Sequence, residues 1–344
     1  MGLFPFLVAL LSAILFGAAA PLSKTLLAQF SPNQLAGLLY LGAALGLLPW
    51  ALRGPLRFPW QLDARTRRLL IGVIVCGGLL GPVFLLLALK VSSAASVSLL
   101  LNCELIATAL LGVAFFRDWL DRRGWAAVGL ATSGAVLLTG GAGLSGGGAV
   151  VLALLACACW GLDNHMAALI DAITPMQTTL CKGLAAGSVN LALGLWMSPW
   201  SPGEGAVAQA LALGALSYGA SITLFISAAQ RLGATRTQAI FATAPFFGVL
   251  FAVGLQGERI SPNQFFSGLL FLAAAVLLAL ERHRHAHEHE VLEHEHRHSH
   301  DDGHHDHRHS PDDSEREHVH RHGHERGAHS HPHRPDLHHR HRHH

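Results

Sequence analysis

The chain has 344 residues, 51% of them apolar, and a formal net charge of +2 with histidine neutral. After residue 281 the apolar residues reduce to Ala286, Val291, Leu292, Val319, Ala328 and Leu337, so the part before it is more apolar than one soluble core holds. Residues 1–281 carry 14 Lys/Arg against 9 Asp/Glu and residues 282–344 carry 10 against 13, a balance that excludes a nucleic-acid binder.

Ten apolar stretches follow one another, each about 20 residues and long enough to cross ~30 Å of hydrocarbon as a helix. The first, 4–28, contains Ala18-Ala19-Ala20, which resembles a leader cleavage site, but it lacks a basic start and runs too long for a leader. The next three are 32–52, 69–89 and 93–115, and Lys24 and Lys90 are expected to snorkel at their outer ends. In 93–115, Glu104 lies about 11 residues in, roughly 16 Å along the helix and near the bilayer midplane, with Asn102 beside it. An ionisable group at that depth is a functional candidate, here one that takes up and releases a proton; the structural alternative is an acid hydrogen-bonded through Asn102 or Ser98.

Stretch 124–142 ends in glycines, and 148–170 carries Asp163-Asn164-His165, the densest polar cluster in the apolar part. In 175–197, Lys182 lies as far after the Ala172–Ile173 link as Asp163 lies before it, so antiparallel neighbours place the two at equal depth as an ion pair. His165 lies about 200° around the helix from Asp163, so the two cannot converge on one metal. Asn190, then Tyr218 in 206–229, and Thr237 and Gln238 in 235–256 add polar groups to a candidate central cavity; 262–281 closes the series. Pro21 and Pro245 are expected to break the first and ninth helices. Cys76, Cys103, Cys157, Cys159 and Cys181 all lie in apolar stretches and read as small hydrophobes.

With a cytoplasmic N-terminus the inner connections carry Arg53, Arg57, Arg65, Arg67, Arg68, Arg117, Arg122, Arg123, Arg231 and Arg236, whereas the outer ones carry Lys24, Lys90 and Arg259. That is the positive-inside bias. The halves also correspond: Leu15-Phe16-Gly17 matches Cys159-Trp160-Gly161, and Phe115-Phe116-Arg117-Asp118 matches Leu255-Gln256-Gly257-Glu258. Five spans per half invert the second copy relative to the first. On these residues, with Ala244-Pro245-Phe246-Phe247 before Gly257-Glu258-Arg259 and the matching Asn102-Cys103-Glu104-Leu105, the chain resembles the EamA type of the drug/metabolite transporter superfamily. The resemblance implies a proton-coupled or exchange-type carrier, usually an exporter. Leu105 stands where the family usually has proline, which puts a kink in the fourth helix in doubt.

Residues 282–344 hold 24 of the 25 histidines and neither cysteine nor lysine. They recur as His-x-His at His283, His285, His287 and His289, then His294, His296, His298 and His300, with His304, His305, His307 and His309 following. So few apolar residues predict disorder, and imidazoles interleaved with carboxylates suit Zn, Ni or Co. The sequence therefore predicts an all-α membrane protein with ten transmembrane helices in two inverted five-helix repeats, residues 1–142 and 148–281, and a disordered His-rich tail, 282–344. It reads as an inner-membrane carrier rather than an enzyme, with both termini cytoplasmic and no required cofactor. It exports a small solute by alternating access, its partners being the lipid bilayer and a small-molecule or metal-ion substrate; a homodimer is compatible with this. A divalent-metal exporter and a metal- or pH-responsive membrane sensor are the alternatives.

Overall fold

The computed structural model describes residues 3–53, 56–57, 59–116, 118, 120–139, 147–279, 284–289, 292–298, 318–324 and 327–332. Ten helices make the body among these residues: α1 (Phe4–Leu26), α2 (Pro32–Ala51), α3 (Ala64–Val91), α4 (Ala94–Phe115), α5 (Arg122–Thr139), α6 (Gly147–Ala168), α7 (Pro175–Met197), α8 (Gly205–Leu232), α9 (Ala234–Gln256) and α10 (Pro262–Ala279). Eight are long and apolar enough to cross a membrane. The other two, α5 and α10, lie along each other; α5 opens on Arg122 and Arg123, and the apolar run of α10, Pro262–Leu278, is shorter.

Helix starts are written in the sequence. Ser31-Pro32-Asn33-Gln34 and Ser261-Pro262-Asn263-Gln264 form capping boxes: the serine hydroxyl accepts from the glutamine N–H (3.4 and 3.3 Å) and the glutamine Oε1 accepts from the serine N–H (3.0 and 2.7 Å). Thr174 caps α7 by accepting from Gln177 N–H at 3.2 Å. α3 begins five residues before the expected 69 because Asp63 caps it, accepting from Arg65 and Thr66 N–H at 2.8 and 3.1 Å. Its charged first turn hides that start from any reading based on apolar runs.

The order of local features recurs along the chain. α3 and α8 each contain a π-helical stretch, Val73–Leu80 and Gly214–Ala220. α4 breaks at Leu101-Asn102 and α9 at Ala242-Thr243. Pro245 follows the break in α9 as expected, and α1 breaks at Ala18, ahead of Pro21. α4 breaks without a proline, so the kink that Leu105 put in doubt is present.

Exposed aromatics sit at the helix ends: Trp50, Trp60 and Trp125 at one end of α2, α3 and α5, and Trp196 and Trp200 at the far end of α7. Such girdles mark the two membrane–water interfaces. Inside, helices meet through small residues; a Cβ on Gly37 of α2 would stand 2.5 Å from the Leu191 amide nitrogen of α7, so that seam closes to backbone contact. Lys24 does not snorkel: its ammonium donates to the Leu89 carbonyl and, at 2.8 Å, to that of Ser92, closing the end of α3.

In the tail, Arg284–His289 pairs antiparallel with Gly327–Pro332, and Leu292–His298 with His318–His324. A His-x-His alternation shares the period of an extended strand, and strand pairing satisfies the backbone without an apolar core. The register sets His285 opposite His331, His287 opposite His329, His294 opposite His322, His296 opposite His320 and His298 opposite His318. His283, His300, His304, His305, His307 and His309 lie outside the described residues.

Candidate functional site

The side chains of the tripeptide Asp163-Asn164-His165 of α6 reach three neighbouring helices, α7, α4 and α9. Asp163 accepts from Lys182 Nζ of α7 at 2.6 Å, and both are buried, as equal depth on antiparallel helices requires. Asn164 Nδ2 donates to Glu104 Oε1 of α4 at 2.9 Å, to Thr108 Oγ1 at 3.2 Å and to Gln238 Oε1 of α9 at 3.2 Å. His165 Nε2 lies 2.9 Å from the Thr108 carbonyl, and its ring stacks on Phe116 with centroids 4.6 Å apart. Four helices are thus tied through one turn of α6.

The ion pair has a floor built for it. A Cβ on Gly77 of α3 would overlap the Asp163 carboxylate, and one on Gly78 would stand 3.0 Å from Lys182 Cγ. In the π-helical stretch that carries these glycines, Gly81 N–H donates to the Cys76 carbonyl and Pro82 has no N–H, so the Gly77 carbonyl, which in hydrocarbon needs a donor, must find one elsewhere. Tyr40 Oη donates to the Gly77 carbonyl at 2.5 Å, Trp160 Nε1 donates to the same oxygen at 3.3 Å, and Asn190 Nδ2 donates to the Gly78 carbonyl at 3.2 Å. Asn190, expected to line the cavity, instead serves this backbone.

Two other expectations change. Glu104 finds neither Asn102 nor Ser98: Asn102 Nδ2 turns back to the Leu99 carbonyl at 3.1 Å, and Ser98 Oγ is buried with no partner among the described residues. Depth along a helix was legible, but rotation about its axis was not, and the break at Leu101-Asn102 resets that rotation. Tyr218 is buried against Phe16 and Tyr40, ring centroids 5.5 and 5.3 Å away, and its hydroxyl has no partner among the described residues. Thr108, Tyr40 and Gly77 are site residues that sequence reading did not single out, and Trp160 entered it only as part of the repeat match. Gly77-Gly78 inside an apolar helix was the available signal.

A small cavity opens beside Glu104 at the breaks of α4 and α9, lined by Phe16, Ser98, Glu104, Gln238, Phe241 and Pro245 among others. Glu104 is the ionisable group in its wall, and among the described residues no Lys or Arg makes ion-pair contact with it. Among the described residues no three His, Cys, Asp or Glu side chains are grouped to hold a metal, in keeping with the divergent aim of Asp163 and His165.

The model of the EamA-like transporter family matches residues 3–140 and again residues 147–280. A protein of Methanothermobacter thermautotrophicus, named an uncharacterized transporter, is 26% identical over 300 residues, covering 78% of this chain and 83% of its own. A solved crystal structure 18% identical in sequence covers 80% of this chain and 96% of its own with a TM-score of 0.64, a likeness of fold.

Two substitutions test the site. Asp163→Asn leaves a buried ammonium unpaired and is expected to cost about 3–5 kcal/mol, whereas Asp163→Asn with Lys182→Met recovers much of that loss. Thermal unfolding in detergent across the four variants reads the coupling, and additive losses would show that the pair contributes none. Gly77→Ala drives a methyl into the carboxylate and is expected to lose about 1–3 kcal/mol in the same assay; wild-type stability would mean that Asp163 has room to move.

Proposed function

The chain belongs to the EamA-like transporter family, and we propose that it exports a small organic solute across the inner membrane by alternating access, with Glu104 as the proton-coupling group. The observation that carries this reading is the seat of Glu104. It lies on the broken helix α4, beside a cavity, hydrogen-bonded to an uncharged amide that also holds α9. Asp163 has Lys182 for its counter-charge, whereas the charge of Glu104 is met by a proton. A carboxyl that gains and loses that proton as the cavity changes sides links proton movement to solute movement.

The duplicated family match supports two five-helix halves, and five spans per half make the second the inverse of the first. Arg53, Arg65, Arg122 and Arg123 flank the same helix ends as Trp50, Trp60 and Trp125. A cytoplasmic N-terminus accounts for that bias and returns the tail to the same side. Growth of a deletion strain across metals, amino acids and drugs identifies the solute, and proteoliposomes then test the coupling. Glu104→Gln keeps an oxygen for Asn164, so insertion and thermal stability are expected to stay at wild-type values while pH-driven accumulation falls to background. Full pH-driven transport in that variant removes Glu104 from the mechanism.

A second reading concerns the tail, on the observation that 24 histidines are interleaved with 13 acids and 10 arginines within 63 residues. It collects Zn, Ni or Co at the cytoplasmic face, and metal is then a second candidate cargo for the body. Imidazole coordinates only when deprotonated, so binding is full above its reference pKa near 6.5 and is expected to fade below about pH 6. Calorimetric titration of the full-length protein and of a chain ending at residue 282 measures this. Micromolar binding at pH 7.5 lost on truncation is the expected outcome; equal binding by both chains refutes it.

A further inference from the structure

At each end of the molecule a carboxylate from one half of the chain holds the start of a helix in the other half. Glu258, just past α9, places Oε1 and Oε2 at 2.9 and 2.8 Å from the amide nitrogens of Ala94 and Ala95, the first residues of α4. Ser93 Oγ accepts the next amide, Ser96, at 3.1 Å, so the first turn of α4 is satisfied largely by an acid 164 residues away. Asp118, just past α4, accepts from the Thr235 hydroxyl, in the first turn of α9.

The two contacts are equivalents. Asp118 and Glu258 are 140 residues apart, as are Ala94 and Ala234, and Ala95 and Thr235. The N–H of each acid reaches back six residues: Asp118 N–H donates to the Gly112 carbonyl at 3.0 Å, and Glu258 N–H to that of Ala252 at 3.3 Å. Gly257, at φ 66°, makes the left-handed turn that aims Glu258. α4 and α9 run antiparallel, each broken at its middle, so the contacts lie at opposite ends of a pair of helices roughly 33 Å long.

We infer that Glu258 and Asp118 are reciprocal latches, one closing each end of the central cavity by holding α4 to α9, and that the carrier opens an end by releasing the latch there. The inference rests on the alternating-access reading above. Both latches join the two halves, and both act on the helices that carry Glu104 and Gln238. A carboxylate on two backbone N–H groups at a helix start is a charge-assisted contact, so rocking one half on the other must first break it. Glu258 and Asp118 are positioning residues in this scheme and touch no solute.

The test is accessibility, which needs no identified solute. In full-length protein with the five native cysteines replaced by alanine, Ser98→Cys places a reporter in the cavity wall, and an impermeant maleimide is applied from either side of oriented vesicles. A reducible bifunctional thiosulfonate joining Glu258→Cys to Ala94→Cys should leave the reporter reactive only from the Asp118 side. The same reagent across Asp118→Cys and Thr235→Cys should leave it reactive only from the Glu258 side, and a reductant should restore both. Glu258→Gln, without cross-linker, retains the side-chain shape and should speed labelling from its own side about tenfold, in line with loss of a charged hydrogen bond. Labelling from both sides despite either cross-link, with wild-type rates in Glu258→Gln, overturns the latches and leaves alternating access standing. A reporter that reacts from one side only in the uncross-linked protein overturns alternating access and the latches with it.

Discussion

Inside hydrocarbon a backbone carbonyl released from its helix must be met by another donor, and Gly77 of α3 is where that requirement organises the protein. Pro82 has no N–H to close the π-helical stretch on Gly77, and Tyr40, Trp160 and Asn190 come from α2, α6 and α7 to the carbonyls of Gly77 and Gly78. Those donors fix the three helices around α3. The absence of a side chain on Gly77 then leaves the space that Asp163 fills, facing Lys182. One local departure from α-helical geometry thus positions the charged pair and the helix α6 that carries Asn164.

Asn164 passes that order on. Its amide is held by its position one residue after Asp163, and it binds Glu104 and Thr108 on α4 and Gln238 on α9 at once. A rotation of α6 changes all three bonds together. Single polar contacts between helices in a membrane are worth about 0.6 kcal/mol each, so the weight of this cluster comes from sharing one donor group among several helices. The serine contacts on the other side of α1 behave differently: Ser12 and Ser221 exchange bonds to each other's carbonyls at 2.8 Å, a two-helix seam with no link to the cluster.

How far the sequence discloses this follows from what each signal encodes. Hydropathy gave the spans and their order, since twenty apolar residues have few other uses, and equal distance from a turn brought Asp163 to Lys182. It missed the first turn of α3, because Arg65, Arg67 and Arg68 are charged while the cap at Asp63 is local. The partner of Glu104 was not legible, because a break in the helix changes which way the side chain faces. Thr108 was passed over because a threonine in an apolar helix ordinarily bonds within its own helix.

The two helix-end acids show where a repeat in sequence becomes physical. Asp118 and Glu258 were visible as matching positions, yet matching alone says nothing of what each touches. The contacts fit the inverted repeats proposed above: were the second copy turned over against the first, the end of α4 would meet the start of α9 and the end of α9 the start of α4, as they do. A residue that satisfies a helix start in one place is then required to do so in the other, at the opposite end. Glu258 reaches two backbone amides, while Asp118, one methylene shorter, meets a hydroxyl that Thr235 extends toward it. The partner residue makes up for the shorter arm, and an acid is kept at both ends of the same helix pair.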